Sequence, residues 1–200
     1  QAAMGQRCVR KGTLGPFPSP AARARSEGGG ALRPALGVEI GMTIKVGDKI
    51  PSVGFTTMTA EGPRPLTSED IFKNRKVALF CVPGAFTPTC SAKHLPGFLA
   101  HVDEFKAKGV DTIVCLSVND VYVMAAWGKD QKVGDKILML ADGNGDFARA
   151  VGLELDAKAY GMGTRAKRFS LLVENGIVKK LNVDENGFKE SSAEKLLEQI

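Results

Sequence analysis

The chain has only four cysteines, two histidines and one tryptophan in 200 residues. Four cysteines are too few for a disulfide scaffold. Two histidines and scattered cysteines give no spacing that would wrap a zinc ion, so no metal is expected. No run of about eighteen apolar residues occurs, so no membrane-spanning helix is expected. There are no internal repeats. Gly143-x-Gly145, with Asp142 and Asp146, is too short for an EF-hand or a dinucleotide loop and reads as a turn into a helix.

Charge of one sign is in modest excess, at a formal net +5. Such a balance invites a nucleic-acid or membrane-surface reading only if the charge is gathered on the working domain. It is not. Residues 1–41 hold six basic and two acidic residues, whereas residues 42–200 hold 21 basic and 20 acidic. Neither nucleic acid nor a membrane is expected as a partner. Residues 1–41 are rich in Gly and Pro and show no period of 2 or 3.6, so they read as a disordered basic extension. Three readings of this extension stay open. It is Arg-rich, Ala-rich and acid-poor, as organelle transit peptides are. It also fits upstream sequence with Met42 as the true start, since the chain opens on Gln1, or a functional basic arm. The cytoplasm is the expected location, with a mitochondrion or plastid as the alternative if the extension is a transit peptide.

Residues 42–200 read as one α/β domain. Lys76–Val82 is a short apolar run ended by Pro83-Gly84, a buried strand. Leu95, Phe98, Leu99, Val102 and Phe105 recur at helical spacing and predict one helix over about 90–108, closed by Gly109. Further strands are expected at 110–118 and 137–140, with a helix at 121–130 between them and a short one after Asp146. Asn175-Gly176 between two apolar runs predicts a hairpin. Ser191 with Glu194 predicts a capping box for a last helix. Residues 44–72 read as a hairpin followed by a short helix starting at Thr67. The order implies a mixed sheet covered on both faces.

Chemistry concentrates in Val82-Pro83-Gly84-Ala85-Phe86-Thr87-Pro88-Thr89-Cys90-Ser91. Pro88 and Thr89 turn into the following helix and put Cys90 in its first turn. The free N–H groups and the dipole there favour an anion, and a thiol so placed is activated as thiolate. Thr87 can aim its hydroxyl at the sulfur or at a bound oxyanion. Pro83 and Pro88 stiffen the loop. Cys81, mid-strand, reads as core, and Cys8 as incidental. His94, one turn after Cys90, suggests a Cys–His hydrolase, but no third orienting residue or oxyanion motif accompanies it. Trp127 and Phe86 read as packing residues, with a pocket or dimer face as the alternative.

Pro83-x-x-x-Thr87-x-x-Cys90 matches the Pro-x-x-x-Thr-x-x-Cys signature of peroxiredoxins. The longer run, with His94-Leu95-Pro96-Gly97-Phe98 after it, resembles the type-5, or plant type II, branch. The resemblance continues through Cys115-Leu116-Ser117-Val118-Asn119-Asp120, Trp127-Gly128 and Lys167-Arg168-Phe169-Ser170, and covers about 42–200. It implies a thioredoxin-like fold and a thiol peroxidase with neither metal, haem nor other cofactor. Cys90 would be the peroxidatic cysteine, oxidised by a hydroperoxide to a sulfenic acid. Thr87 would hydrogen-bond the peroxide and Arg168 would match the family's active-site arginine. Cys115, 25 residues on, matches the plant type II resolving position, although a cysteine in an apolar strand reads equally as a core thiol. Glutaredoxin/glutathione or thioredoxin would recycle the enzyme, and a homodimer is implied. Two rivals stand beside this reading. A disulfide oxidoreductase is disfavoured because Cys90-Ser91-Ala92-Lys93 lacks the second cysteine of Cys-x-x-Cys. A non-enzymatic redox sensor would use the same activated thiol.

Overall fold

A computed structural model of the protein describes residues 43–200. The readings of residues 1–41, and of Met42 as a start, lie outside the described residues.

The strands are β1 (Gly54–Thr59), β2 (Gly62–Thr67), β3 (Lys76–Val82), β4 (Thr112–Ser117), β5 (Leu138–Ala141), β6 (Glu154–Asp156), β7 (Thr164–Ala166), β8 (Arg168–Glu174) and β9 (Ile177–Asp184). Seven of them form one mixed sheet in the order β2-β1-β5-β4-β3-β8-β9. β3, β4 and β5 run parallel, and the remaining pairings are antiparallel. The helices are α1 (Ser68–Phe72), α2 (Leu95–Ala100), α3 (Val102–Ala107), α4 (Val121–Asp130), α5 (Asp146–Ala150) and α6 (Ala193–Leu197).

The central strand β3 is buried along its length, as its apolar run requires. Alternation along it splits the core in two. Ala78, Phe80 and Val82 face one layer with Leu95, Phe98, Val102, Phe105, Trp127 and Leu196. Val77, Leu79 and Cys81 face the other with Ile71, Phe72 and Phe147. Phe80 stacks on Phe98 at 4.1 Å between ring centroids, and Phe98 on Phe105 at 5.4 Å. Each such pair adds about 0.5–1.5 kcal/mol beyond area burial, and together they fasten the Cys90-bearing segment to the sheet.

Local signals explain several elements. Thr67 and Asp70 form a reciprocal capping box at α1. Asn175 and Gly176 both have positive φ, 48° and 77°, which gives the β8–β9 turn the twist a two-residue hairpin needs. The Asp142 carboxylate accepts the N–H groups of Phe147 and Ala148 at the head of α5.

Four details depart from the sequence reading. The expected helix over 90–108 is broken in two at His101, whose φ of −105° and ψ of 15° leave the helical region. Its first turn, Cys90–His94, is π-helical, with Leu95 N–H donating to the Cys90 carbonyl five residues back. The last helix is capped by Ser192, which accepts from Lys195 N–H, and not by Ser191. The short pair β6–β7 was not anticipated.

Candidate active site

Cys90 is wholly buried, 0% exposed, at the head of the π-helical segment. Pro88 is the first helical residue, so Cys90 lies in the first turn. Strand alternation brings its partner from far along the chain. Arg168, Ser170 and Leu172 of β8 alternate with Phe169, Leu171 and Val173. Phe169, Leu171 and Val173 fill the Cys81 layer, which turns Arg168 to the Cys90 side. Arg168 Nη2 donates to Cys90 Sγ at 3.3 Å across 78 positions of sequence.

Arg168 is itself 9% exposed. A buried guanidinium needs a counter-charge or a full set of acceptors. Among the described residues no carboxylate pairs with it. Its neighbours are Cys90 Sγ, the His94 ring at 3.0 Å from Nη1, and the Phe188 ring 5.7 Å below Cζ. Among these neighbours, Cys90 Sγ is the one group that could carry a compensating negative charge.

His94 is more than the residue weighed above as a hydrolase base. Arginine only donates, so His94 Nδ1 must accept from Arg168, and the proton sits on Nε2. That N–H donates to the Ser191 carbonyl at 3.1 Å. Burial, with the Arg168 charge second, pushes His94 down to about 3, so the ring is neutral at any ordinary pH. It aims the arginine and does not activate the sulfur directly. Its spacing from Cys90 was the available signal; the distant Arg168 that explains it was not visible in that spacing.

Thr87 donates its hydroxyl to the Gly84 carbonyl at 2.9 Å, and not to the sulfur. Its Oγ1 can still accept a hydrogen bond from another donor. The loop itself is held from β4. Asn119 Oδ1 accepts the Ala85 N–H at 3.0 Å and the Ser117 hydroxyl at 2.8 Å, and that hydroxyl also lies 3.0 Å from the Val82 carbonyl. A Cβ at Gly84 would meet Met162 Cε and Thr87 Cγ2 at 3.1 Å, so a side chain there would press on Thr87. Phe86, 53% exposed, holds a positive φ of 60°, a conformation that costs an aromatic residue on the order of 1–3 kcal/mol. Trp127 is buried and donates its indole N–H to Ser91 Oγ at 3.0 Å, tying α4 to the residue after Cys90.

Cys115 and Cys81 are buried and free. Cys115 shares the core layer of Cys90 and lies opposite Phe80 in the sheet. Cys81 faces the other layer. Burial pushes both thiols well up, with the neighbouring cysteines adding to it at Cys115, so Cys115 is held as a thiol. Among the described residues no cluster of three His, Cys, Asp or Glu side chains is placed to hold a metal.

The domain that carries this buried thiol and buried arginine is similar to known proteins. Residues 45–197 match the Redoxin family. The chain is 44% identical over 163 residues to peroxiredoxin-2E, chloroplastic, of Arabidopsis thaliana, covering 79% of this chain and 70% of that protein. It is 48% identical over 164 residues to peroxiredoxin-2E-2, chloroplastic, of Oryza sativa, covering 79% and 73%. This chain belongs to the peroxiredoxins. Among solved structures, the reduced Prx3 of Vibrio vulnificus in complex with hydrogen peroxide superposes with a TM-score of 0.75 at 44% identity, covering 78% of this chain and 98% of that one. This peroxiredoxin has the thioredoxin-like fold of its family and is a thiol peroxidase.

Proposed function

We propose that this peroxiredoxin reduces hydrogen peroxide and small alkyl hydroperoxides at Cys90. The observation that carries the reading is the contact of Arg168 Nη2 with Cys90 Sγ, both side chains buried, with no carboxylate on the guanidinium among the described residues. The Cys90 thiolate attacks the terminal peroxide oxygen. An S–O bond forms as the O–O bond breaks, and Cys90 is oxidised by two electrons to a sulfenic acid. The peroxide is reduced to water or an alcohol, taking up the proton that the thiol gave up. Arg168 stabilises the charge moving onto the departing oxygen, and Thr87 Oγ1 accepts a hydrogen bond from the peroxide O–H, whose hydrogen stays on the oxygen that Cys90 receives. The V. vulnificus relative, described with hydrogen peroxide bound, supports that substrate.

Recycling then consumes an external thiol, from glutaredoxin/glutathione or thioredoxin. The sulfenic acid and that thiol give a mixed disulfide and water, and a second thiol releases Cys90. Cys115 is the other candidate for the first attack. Its burial and raised thiol argue that it waits for local unfolding. Mass spectrometry of the protein under turnover decides between them. A glutathione adduct on Cys90 and unchanged rates in Cys115→Ser are expected. A Cys90–Cys115 linkage, with loss of thioredoxin-dependent turnover in Cys115→Ser, would assign resolution to Cys115.

Location and assembly belong to the same proposal. Two relatives carry "chloroplastic" in their names, and residues 1–41 are Arg-rich and acid-poor. The plastid is therefore better supported than the cytoplasm. A homodimer is supported by exposed Phe86 and Tyr122 on segments that leave the same end of the parallel strands as Cys90. Plastid import of a fluorescent fusion of residues 1–41, and sedimentation of the purified chain at twice its monomer mass, check the two.

A further inference from the structure

Asp184 closes β9 directly opposite Arg168, which opens β8. Opposed residues of an antiparallel pair put their side chains on one face, so an Asp and an Arg in these places would ordinarily form an ion pair. They do not. The Arg168 guanidinium goes to Cys90 and His94. The Asp184 carboxylate is taken up by the chain that follows β9. Oδ1 accepts the N–H groups of Lys189 at 3.0 Å and Glu190 at 2.8 Å; Oδ2 accepts the Ser191 N–H at 3.2 Å and the Ser191 hydroxyl. Burial raises the Asp184 carboxyl, but the bonds from Ser191, Glu190 and Lys189 outweigh it and hold the group below the usual range.

Four bonds to one carboxylate set the shape of the turn over 185–191. That turn makes two contacts with the site. The Ser191 carbonyl accepts the His94 Nε2–H. The Phe188 ring lies 5.0 Å from the His94 ring and beneath Arg168.

We infer that Asp184 is a positioning residue for the peroxidase reaction: it clamps the 185–191 turn so that Ser191 and Phe188 hold His94 and Arg168 in place over Cys90. The inference rests on the reading of Cys90 as the reacting thiol. Its physical content is a competition. While the turn saturates Asp184, the arginine is left for the sulfur. Once the turn loosens, His94 loses the acceptor that orients it, and the guanidinium loses its angle to the O–O bond.

The test compares two reactions of the same sulfur. Hydrogen peroxide needs Arg168 aligned with a breaking O–O bond, whereas iodoacetamide needs only an accessible thiolate. In Asp184→Asn, Oδ1 still accepts from Lys189 and Glu190, but the amide nitrogen cannot accept from Ser191. The second-order rate with peroxide is expected to fall about 10-fold in Asp184→Asn and about 100-fold in Asp184→Ala, as displacement of an aligned group by about 1 Å costs. The iodoacetamide rate is expected to change far less in both. Should Asp184→Ala not fold, Asp184→Asn carries the test alone. An unchanged peroxide rate, or equal losses in both reactions, overturns the inference and leaves Asp184 a structural residue only. Full peroxidase activity in Cys90→Ser would instead overturn the reading of the site, and is scored separately.

Discussion

Replacing Cys90 by serine leaves the protein folded and without peroxidase activity. Serine fits the same buried space and its hydroxyl still accepts from Arg168, so the helix start and the β8 side chain keep their places. What is lost is a sulfur nucleophile that can carry the oxygen it receives. Removal of an enzyme's nucleophile costs about 10,000-fold or more in turnover, which here means a rate equal to peroxide decay without protein. The thermal midpoint is expected to stay close to wild type. Peroxide consumption in the presence of a thiol reductant checks the first part and a melting curve the second. Activity retained in Cys90→Ser, with Cys81 and Cys115 still present, would move the chemistry to one of those buried thiols.

The second large effect belongs to Arg168. In Arg168→Met the second-order rate with hydrogen peroxide is expected to fall about 100- to 1,000-fold, the usual cost of removing one donor aimed at developing charge. Stability is expected to move the other way. Among the described residues the buried guanidinium has no carboxylate partner, and an apolar side chain of similar length removes the cost of burying that charge. A melting temperature equal to or above wild type, together with a crippled rate, is the signature of a residue kept for chemistry. Arg168→Lys does not rescue. A single ammonium cannot span both Cys90 Sγ and His94 Nδ1 as the planar fork does. Peroxide kinetics by rapid mixing, beside melting curves of the three proteins, check these outcomes. A loss of stability with unchanged kinetics would make Arg168 a structural cation.

The nucleophile and its loop were legible in the sequence because their signals are local: a strand that ends in Pro-Gly, and a thiol two residues after a helix-starting proline. β3, α4 and the Asn175-Gly176 hairpin were legible for the same reason, since apolar runs and turn residues act over a few positions. Arg168 needed the resemblance, because nothing near it in sequence says that β8 alternation turns it toward a loop 78 positions away. Two features of the same neighbourhood were hidden for a related reason. Sequence distance sets His94 beside Cys90 alone, whereas its partners are Arg168 and Ser191. Ser191 looked like a cap because Glu194 follows it, yet Asp184 claims its hydroxyl and Ser192 caps the helix. The break at His101 was hidden because the apolar spacing from Leu95 to Phe105 runs through it unbroken.

The order of the sheet also bears on how copies of this protein meet at their sheet edges. Its two outermost strands are β2 and β9. β2 carries Pro63 and Pro65 with Arg64 between them, and proline has no N–H to offer an incoming strand. β9 carries Lys179 and Lys180, and its first residues are already bonded to Gly47 and Asp48. Each border is blunted in a different way, by missing donors on one side and by charge and a covering segment on the other. Copies that meet edge to edge therefore find few free donors on β2 and a charged, partly covered edge on β9, which disfavours extending the sheet from either end.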